Sequence, residues 1–543
     1  MKQNRVLMCG IFSLYAILFH VPQTIKCTTV GKPFLATRSQ GNNLVRRLVG
    51  EIHELLHCGN TCRNGIISIT PEWSQNFNTN GLGTYFSLRP SARNQANSMN
   101  FRGSRAENPP FSPENTNVLA EYFLLASNFS GNVTLHPHIE NFVTDINMRL
   151  NLYNRLPGLY FEIGVPITWT RAHVELKETP PANPGTNLAI LASNNPINAP
   201  FETPAPFFTI TEAYNGIHEQ QEFIFTSPGV DPITITIENL NFARINDKQT
   251  KSGVADVELV AGYNLLCKEK YHFAVNARLT VPTGNRPEAV YVFEPILGNG
   301  HHLQIGGGIN AHAVVWHNGC DRSWRIWFDS ALYYACSTRQ KRTFDIQGSG
   351  IGSRYLLLKR FDAAGNFDNA FMPGPNITTL DADVKIGLTG QAVLLADYQR
   401  GGLTVDFGYS IWGREKEKIT LAQNIVQGTY GIWGGTPIDN LIPDAANRTN
   451  SQTTINGVNF VTATNPVFDM PSPHTLSNAS IDIASAESPA ACSHILFAHV
   501  SYAWRKRHIT PLIGVGGQVE LSGKQNNALN MWSVWMKMGL AWF

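Results

Sequence analysis

Residues 142–153, FVTDINMRLNLY, decide the fold. Phe142, Thr144, Ile146, Met148, Leu150 and Leu152 fall on one parity, and Asp145, Asn147, Arg149 and Asn151 on the other. Strict alternation puts the two sets on opposite faces of a β-strand, one apolar and one wet. After NRLPG the pattern resumes in LYFEIGVPITW, where Leu159, Phe161, Ile163, Val165, Ile167 and Trp169 oppose Tyr160, Glu162, Gly164 and Thr168. Two such runs around a tight connection predict a β-hairpin.

The unit recurs. VELVAGYNLL and FAVNARLTV flank CKEKYH, with Leu259, Ala261, Tyr263, Phe273, Val275, Ala277, Leu279 and Val281 on the apolar face and Glu258, Asn264, Asn276 and Arg278 on the polar one. LQIGGGINAHAVVW pairs with WRIWFDSALYY, VKIGLTGQAVLLADY with LTVDFGYSIW, and a fifth pair surrounds RKRH near Arg505. An opening strand in GIISITPEW and a closing one in LNMWSVWMKMGLAWF bring the count to about twelve. Connections within pairs take a few residues, whereas those between pairs include long polar stretches around 173–253, 338–383 and 413–492. Short and long connections in alternation predict an all-β, transmembrane antiparallel barrel with short periplasmic turns and long extracellular loops. A soluble β-sandwich, the alternative, rarely carries loops of this length between its strands.

Composition agrees. The chain has 543 residues, a net charge of +2, 15% charged and 10% aromatic residues, and 45 glycines, a balance unlike that of a disordered chain or a nucleic-acid binder. Lys2 and Arg5 precede an apolar run over residues 6–19, the pattern of a secretory signal, here placed at 1–27. No later run is long enough for a membrane-spanning helix, so a membrane location requires strands. Residues 28–63 are expected to form a periplasmic or plug-like segment, and 64–543 the barrel, in the outer membrane of a Gram-negative bacterium.

Polar-parity positions Glu72, Asp145, Arg149, Glu162, Asp256, Glu258, Arg278, Arg325, Asp329, Lys385 and Asp406 are the candidate channel lining. Opposed charges across a wet bore sort solutes by charge and size, which predicts passive diffusion of small hydrophilic solutes. If those charges or an inward loop fill the bore instead, the barrel is a non-conducting surface or adhesion protein acting through its loops. Trp169, Trp316, Tyr409, Trp412, Tyr502, Trp504, Trp532 and Trp542 lie near strand ends, where amphipathic rings favour the membrane interface.

One segment suggests other chemistry. GEIHELLHCGNTCRNG contains His53-Glu54-x-x-His57, two imidazoles one helical turn apart with a carboxylate to activate water, the start of a zinc protease site. Asn60 and Arg63 stand where the extended motif places Gly and His, and no third ligand or cleft is evident, so the protease is a remote alternative. Cys58 and Cys62 are read as a disulfide closed on export, or, with His53 and His57, as a metal site. Cys267 and Cys492 have no evident partner, and Cys320 and Cys336 are expected as free thiols. His302 and His312 share a parity but stand about 33 Å apart along one strand, too far for a joint site. Gly306–Gly308 is expected to relieve crowding in the wall rather than bind phosphate. No cofactor is implied.

Two stretches carry a resemblance. The chain ends on Phe543 after an amphipathic aromatic strand, which resembles the C-terminal signature of bacterial outer-membrane β-barrel proteins; the apolar set Trp532, Val534, Met536, Met538, Leu540 and Trp542 runs one residue out of step with Phe543. TVPTGNRPEAVYVFEPILGNGHH, residues 280–302, looks like a stretch of porin-like outer-membrane proteins of intracellular bacteria. The resemblance implies outer-membrane lipid and the barrel-assembly machinery as partners, and transfers no site.

Overall fold

The computed structural model describes residues 29–542 except 42, 51–64, 89–96, 105, 107–116, 153–155, 184–186, 191–200, 220–221, 228–229, 269, 319–320, 434–448, 450–452, 458–474, 505–507 and 523–529. Twelve strands form the wall: β1 (Gly65–Asn76), β2 (Ser130–Asn151), β3 (Leu159–Asn183), β4 (Val257–Lys268), β5 (Tyr271–Val281), β6 (Gln304–His317), β7 (Arg322–Ala335), β8 (Gly387–Arg400), β9 (Leu403–Arg414), β10 (Ala491–Ala503), β11 (Ile509–Ser522) and β12 (Met531–Trp542). Each pairs antiparallel with its neighbours in sequence. β12 returns to β1, from Gly65 opposite Trp542 to Asn76 opposite Met531, and the sheet has no free edge. The backbone polar groups of the wall thereby pair from strand to strand around the closed sheet, the condition for crossing lipid with β-structure. Among the described residues no helix is long and apolar enough to cross a membrane.

Parity sets the two faces. Ile67, Ile69, Phe161, Ile163, Ile305, Leu394, Phe407, Val515, Val534 and Leu540 are exposed on the outside, while on β1 their neighbours Ser68, Thr70, Glu72, Ser74 and Asn76 are buried within. This apolar exterior is the surface a lipid bilayer requires. Gly306 and Gly308 let the β6–β7 contact close: a Cβ on either would stand 2.0–2.1 Å from the carbonyl oxygen of Leu332 or Ser330.

Beyond one rim, β2 and β3 run on for 22 and 25 residues, about twice the length of their neighbours. The long connections gather there into a cap, where polar loops are expected from the sequence. It holds a five-stranded sheet that includes Leu357–Phe361 and Phe367–Pro373, a three-stranded sheet of Thr338–Thr343, Thr379–Lys385 and Lys418–Leu421, and a helix, Thr79–Phe86. Its core is aromatic: Phe123 stacks on Tyr355 at 5.3 Å and meets the edge of Phe101 at 5.1 Å. Side chains scattered over some 400 residues of sequence make this core, so no local pattern marks it.

Candidate functional site: the barrel interior

A twelve-stranded wall, with strands 4.8 Å apart and tilted about 40°, has a backbone radius of about 12 Å. After about 6 Å of inward side chain, the remaining bore is about 12 Å wide, the diameter of one α-helix with its side chains. A helix occupies it. Residues 37–50, apart from 42, run along the inside of the barrel and include α1 (Leu44–Leu48). Residues 31–36 instead lie against the cap, where the Gly31 and Phe34 carbonyls accept from Arg354 and Tyr85 and Lys32 donates to the Ala484 carbonyl. Five residues make a helix too short to hold itself, so its ends are capped. The Asn43 side chain accepts from the Val45 and Arg46 amides. At the other end Lys537 of β12 donates to the carbonyls of Arg46, Arg47 and Val49 at 2.7, 3.2 and 2.8 Å, satisfying the acceptors a helix C-terminus leaves open.

The two sides of α1 match two sides of the wall. Leu44, Val45, Leu48 and Val49 pack in one apolar cluster with Trp327, Val393, Leu395, Phe497 and Trp535 of β7, β8, β10 and β12. Opposite them, the Arg46 guanidinium reaches Glu72 of β1 at 2.6 Å and Asp145 of β2 at 3.4 Å, and also donates to the Gln40 carbonyl at 2.5 Å. Arg47 pairs with Glu258 of β4. Gly164 of β3 makes room for it, since a Cβ there would stand 2.3 Å from the Arg47 guanidinium. Flanking residues fasten the rest: the Leu44 amide donates to Gln391, the Gly50 amide to Asp406, and Arg38 pairs with Glu520.

Ten of the eleven polar-parity residues named from the sequence are inside this region. Arg149 pairs with Glu162 at 2.7 Å and lies over the Tyr160 ring; Arg278 reaches Glu258 at 3.4 Å and Asp329 at 3.5 Å; Arg325 grips Asp397. Asp406 meets His499 at 3.1 Å. Asp256 stands just before β4 and accepts from the Asn299 amide at 2.7 Å, in the segment that joins β5 to β6. Lys385 is the exception. It ends the strand Thr379–Lys385 of the cap, outside β8, is exposed, and lies over the Tyr334 ring. The sequence expectation fails there because Gly387, in the left-handed region at φ 81°, separates the two strands and breaks the parity carried through VKIG.

Trp412 is also misplaced by the sequence reading. It shares the inward parity of Asp406 and Ser410, is buried, and lies under the Arg38 guanidinium inside the wall. Trp169 faces outward, stacked on Trp73 with centroids 6.0 Å apart. Trp316, Tyr502 and Trp504 are exposed, and Trp532 and Trp542 are partly exposed on the outer face of β12. Tyr409 faces outward and its hydroxyl meets His494 at 2.6 Å.

His312 does have a histidine partner, on the neighbouring strand rather than its own: His272 is its cross-strand mate, with ring centroids 4.5 Å apart, and Trp327 stacks on His312 at 4.5 Å. Cys267 is disulfide-bonded, against the expectation of no partner, whereas Cys336 and Cys492 are free. His53, Glu54, His57, Cys58, Cys62, Cys320 and Phe543 lie outside the described residues. Among the described residues no group of three or more His, Cys, Asp or Glu is placed to hold a metal ion.

Sequence reasoning missed Arg46, Arg47, Lys537 and Arg414. Lys537 had a signal, as the only charge in an otherwise apolar and aromatic closing strand. The two arginines had none, because five helical residues are too few to show a period.

No protein-family model and no curated protein matches the chain. Among solved structures it is similar to an outer-membrane channel from Pseudomonas putida F1 (TM-score 0.32, 8% identity, covering 90% of this chain and 98% of that one). It is similar also to the Pseudomonas putida toluene transporter TodX (TM-score 0.28, 8%, 95% and 95%) and to the translocator domain of the autotransporter NalP from Neisseria meningitidis (TM-score 0.26, 6%, 92% and 95%). The barrel assignment rests on this chain's own strand pairing.

Proposed function

We propose that this protein is an outer-membrane channel for small hydrophilic solutes, closed at rest by the internal segment that carries α1. The observation that carries the reading is the chemistry of the contact between α1 and the wall. Arg46, Arg47 and the backbone carbonyls of the helix are held by Glu72, Asp145, Glu258 and Lys537, charged groups that water solvates well once the helix leaves. The wall behind them stays polar along its length, as Ser68, Thr70, Ser74 and Asn76 on β1 illustrate, and a polar wall is what a hydrated path needs. The outer apolar band contacts membrane lipid, and the C-terminal strand engages the barrel-assembly machinery on insertion.

A second reading has its own support. The cap's aromatic core is a folded surface unit, which suits a non-conducting barrel that displays it. Liposome swelling separates the two. Vesicles carrying a variant without residues 37–50 are expected to swell in isotonic small sugars, and vesicles carrying the full chain to swell slowly. A correctly folded deletion variant that leaves vesicles sealed refutes the channel and favours display.

A further inference from the structure

Between residues 36–39 of the internal segment and the upper wall lies a cavity of about 40 Å³, room for about three waters. Arg38, Tyr333, Gln391, Trp412, Asn299 and Arg414 are among its lining. Arg414, the last residue of β9, shares the inward parity of Trp412 and is only 7% exposed, yet its Nε and both terminal nitrogens lack a hydrogen-bond partner. Arg38 turns one nitrogen to Glu520 and leaves the other, buried, without a partner.

Elsewhere in this protein buried arginines meet carboxylates: Arg46 has Glu72, Arg278 has Glu258, Arg325 has Asp397, Arg342 has Glu417 and Arg354 has Asp345. Arg414 breaks that rule. The carboxylates near it are committed: Glu417 accepts from Arg342 and from the Ser488 amide, and Glu520 accepts from Arg38 and Ser493. A guanidinium cannot shed its proton to escape burial, and an isolated buried cation is costly. Its fork of donors matches the paired oxygens of a carboxylate or phosphate.

We propose that Arg414, with Arg38 beside it, forms an internal binding site for the carboxylate or phosphate group of a small anionic solute. The anion completes the buried charge and replaces water in the cavity. As a solute site it rests on the channel reading and narrows it to anions; as a binding site it stands without it.

The test is calorimetric titration of the folded full chain in detergent with inorganic phosphate and, separately, with acetate, alongside R414Q and R414K. Saturable one-to-one binding of at least one anion is expected, weakened tenfold or more by R414Q and less by R414K. Phosphate binding alone, or acetate binding alone, identifies which group the fork takes. Should R414Q fail to fold, a phosphate- or acetate-dependent change in tryptophan fluorescence that W412F removes carries the same information. Absence of saturable binding by both anions, or binding that R414Q leaves intact, overturns the site. Conduction does not enter this measurement: a barrel that binds but never conducts sinks the channel and keeps the site, and one that conducts without binding does the reverse.

Discussion

Replacing Arg46 by methionine strikes the contact that seats α1. The guanidinium is 2% exposed and serves two carboxylates, Glu72 at 2.6 Å and Asp145 at 3.4 Å, themselves 5% and 0% exposed. Methionine keeps most of the side-chain volume, so the loss is electrostatic rather than a cavity. Removing one partner of a buried pair leaves uncompensated charge and costs about 3–5 kcal/mol, and here two carboxylates lose one cation. At 1.4 kcal/mol per tenfold, that lowers the ratio of seated to unseated helix by a factor of about a hundred to a few thousand. Hydrogen exchange reads the change directly, because the Arg47 and Val49 amides donate to the carbonyls of Asn43 and Val45 and are protected only while α1 is seated. In R46M these amides are expected to exchange at least a hundredfold faster, with the wall amides of β7 and β8 unchanged. The triple variant R46M/E72Q/D145N, which removes the stranded charges with their partner, is expected to recover most of the protection. Exchange in R46M equal to that of the parent chain refutes the claim that this pair seats the helix.

Other consequences follow from the same geometry. G164L places a side chain where the Arg47 guanidinium lies and is expected to separate Arg47 from Glu258, seen as faster exchange in α1 with the barrel's heat-resistant mobility in detergent retained. In the cap, burial pushes the Glu121 carboxyl from 4.5 up to about 7, although it accepts from the Ser104 amide and hydroxyl. Its folded pKa therefore lies above the unfolded one, so its folded state holds the proton longer and the cap loses about 3 kcal/mol as pH rises from 4.5 through 7. Proteolytic susceptibility of the cap is expected to rise over that window in the parent chain and to stay level in E121Q; equal slopes refute the assignment. K385A, at an exposed cap position, is expected to leave the unitary conductance and charge selectivity of any open channel unchanged, and a shift in either would return Lys385 to the lining.

The wall was legible because a strand exposes its environment two residues at a time: Phe142 and Asp145 announce opposite faces without any knowledge of their neighbours. The same rule placed Glu72, Asp145 and Arg278 inside the barrel, and it failed at Lys385, where a glycine in the left-handed region resets the parity. Membership of the bore does not reveal what fills it. Glu72 and Glu258 read equally well as the lining of an open path or as sockets for Arg46 and Arg47, since ion pairs between segments far apart in sequence leave no local trace. The cap shows the same limit: Phe101 and Phe123 share one connection, but Tyr355 joins them only after the chain has crossed the wall six more times.

Single-channel recording of the full chain and of the variant lacking residues 37–50, in the same planar bilayer, bears most directly on the filled bore. Long closed dwell times for the full chain and a steady open level for the deletion are expected if residues 37–50 are what stands in the path. Equal, steady conductance from both would show that ions pass without this segment leaving, and the interior described here would not be the barrier.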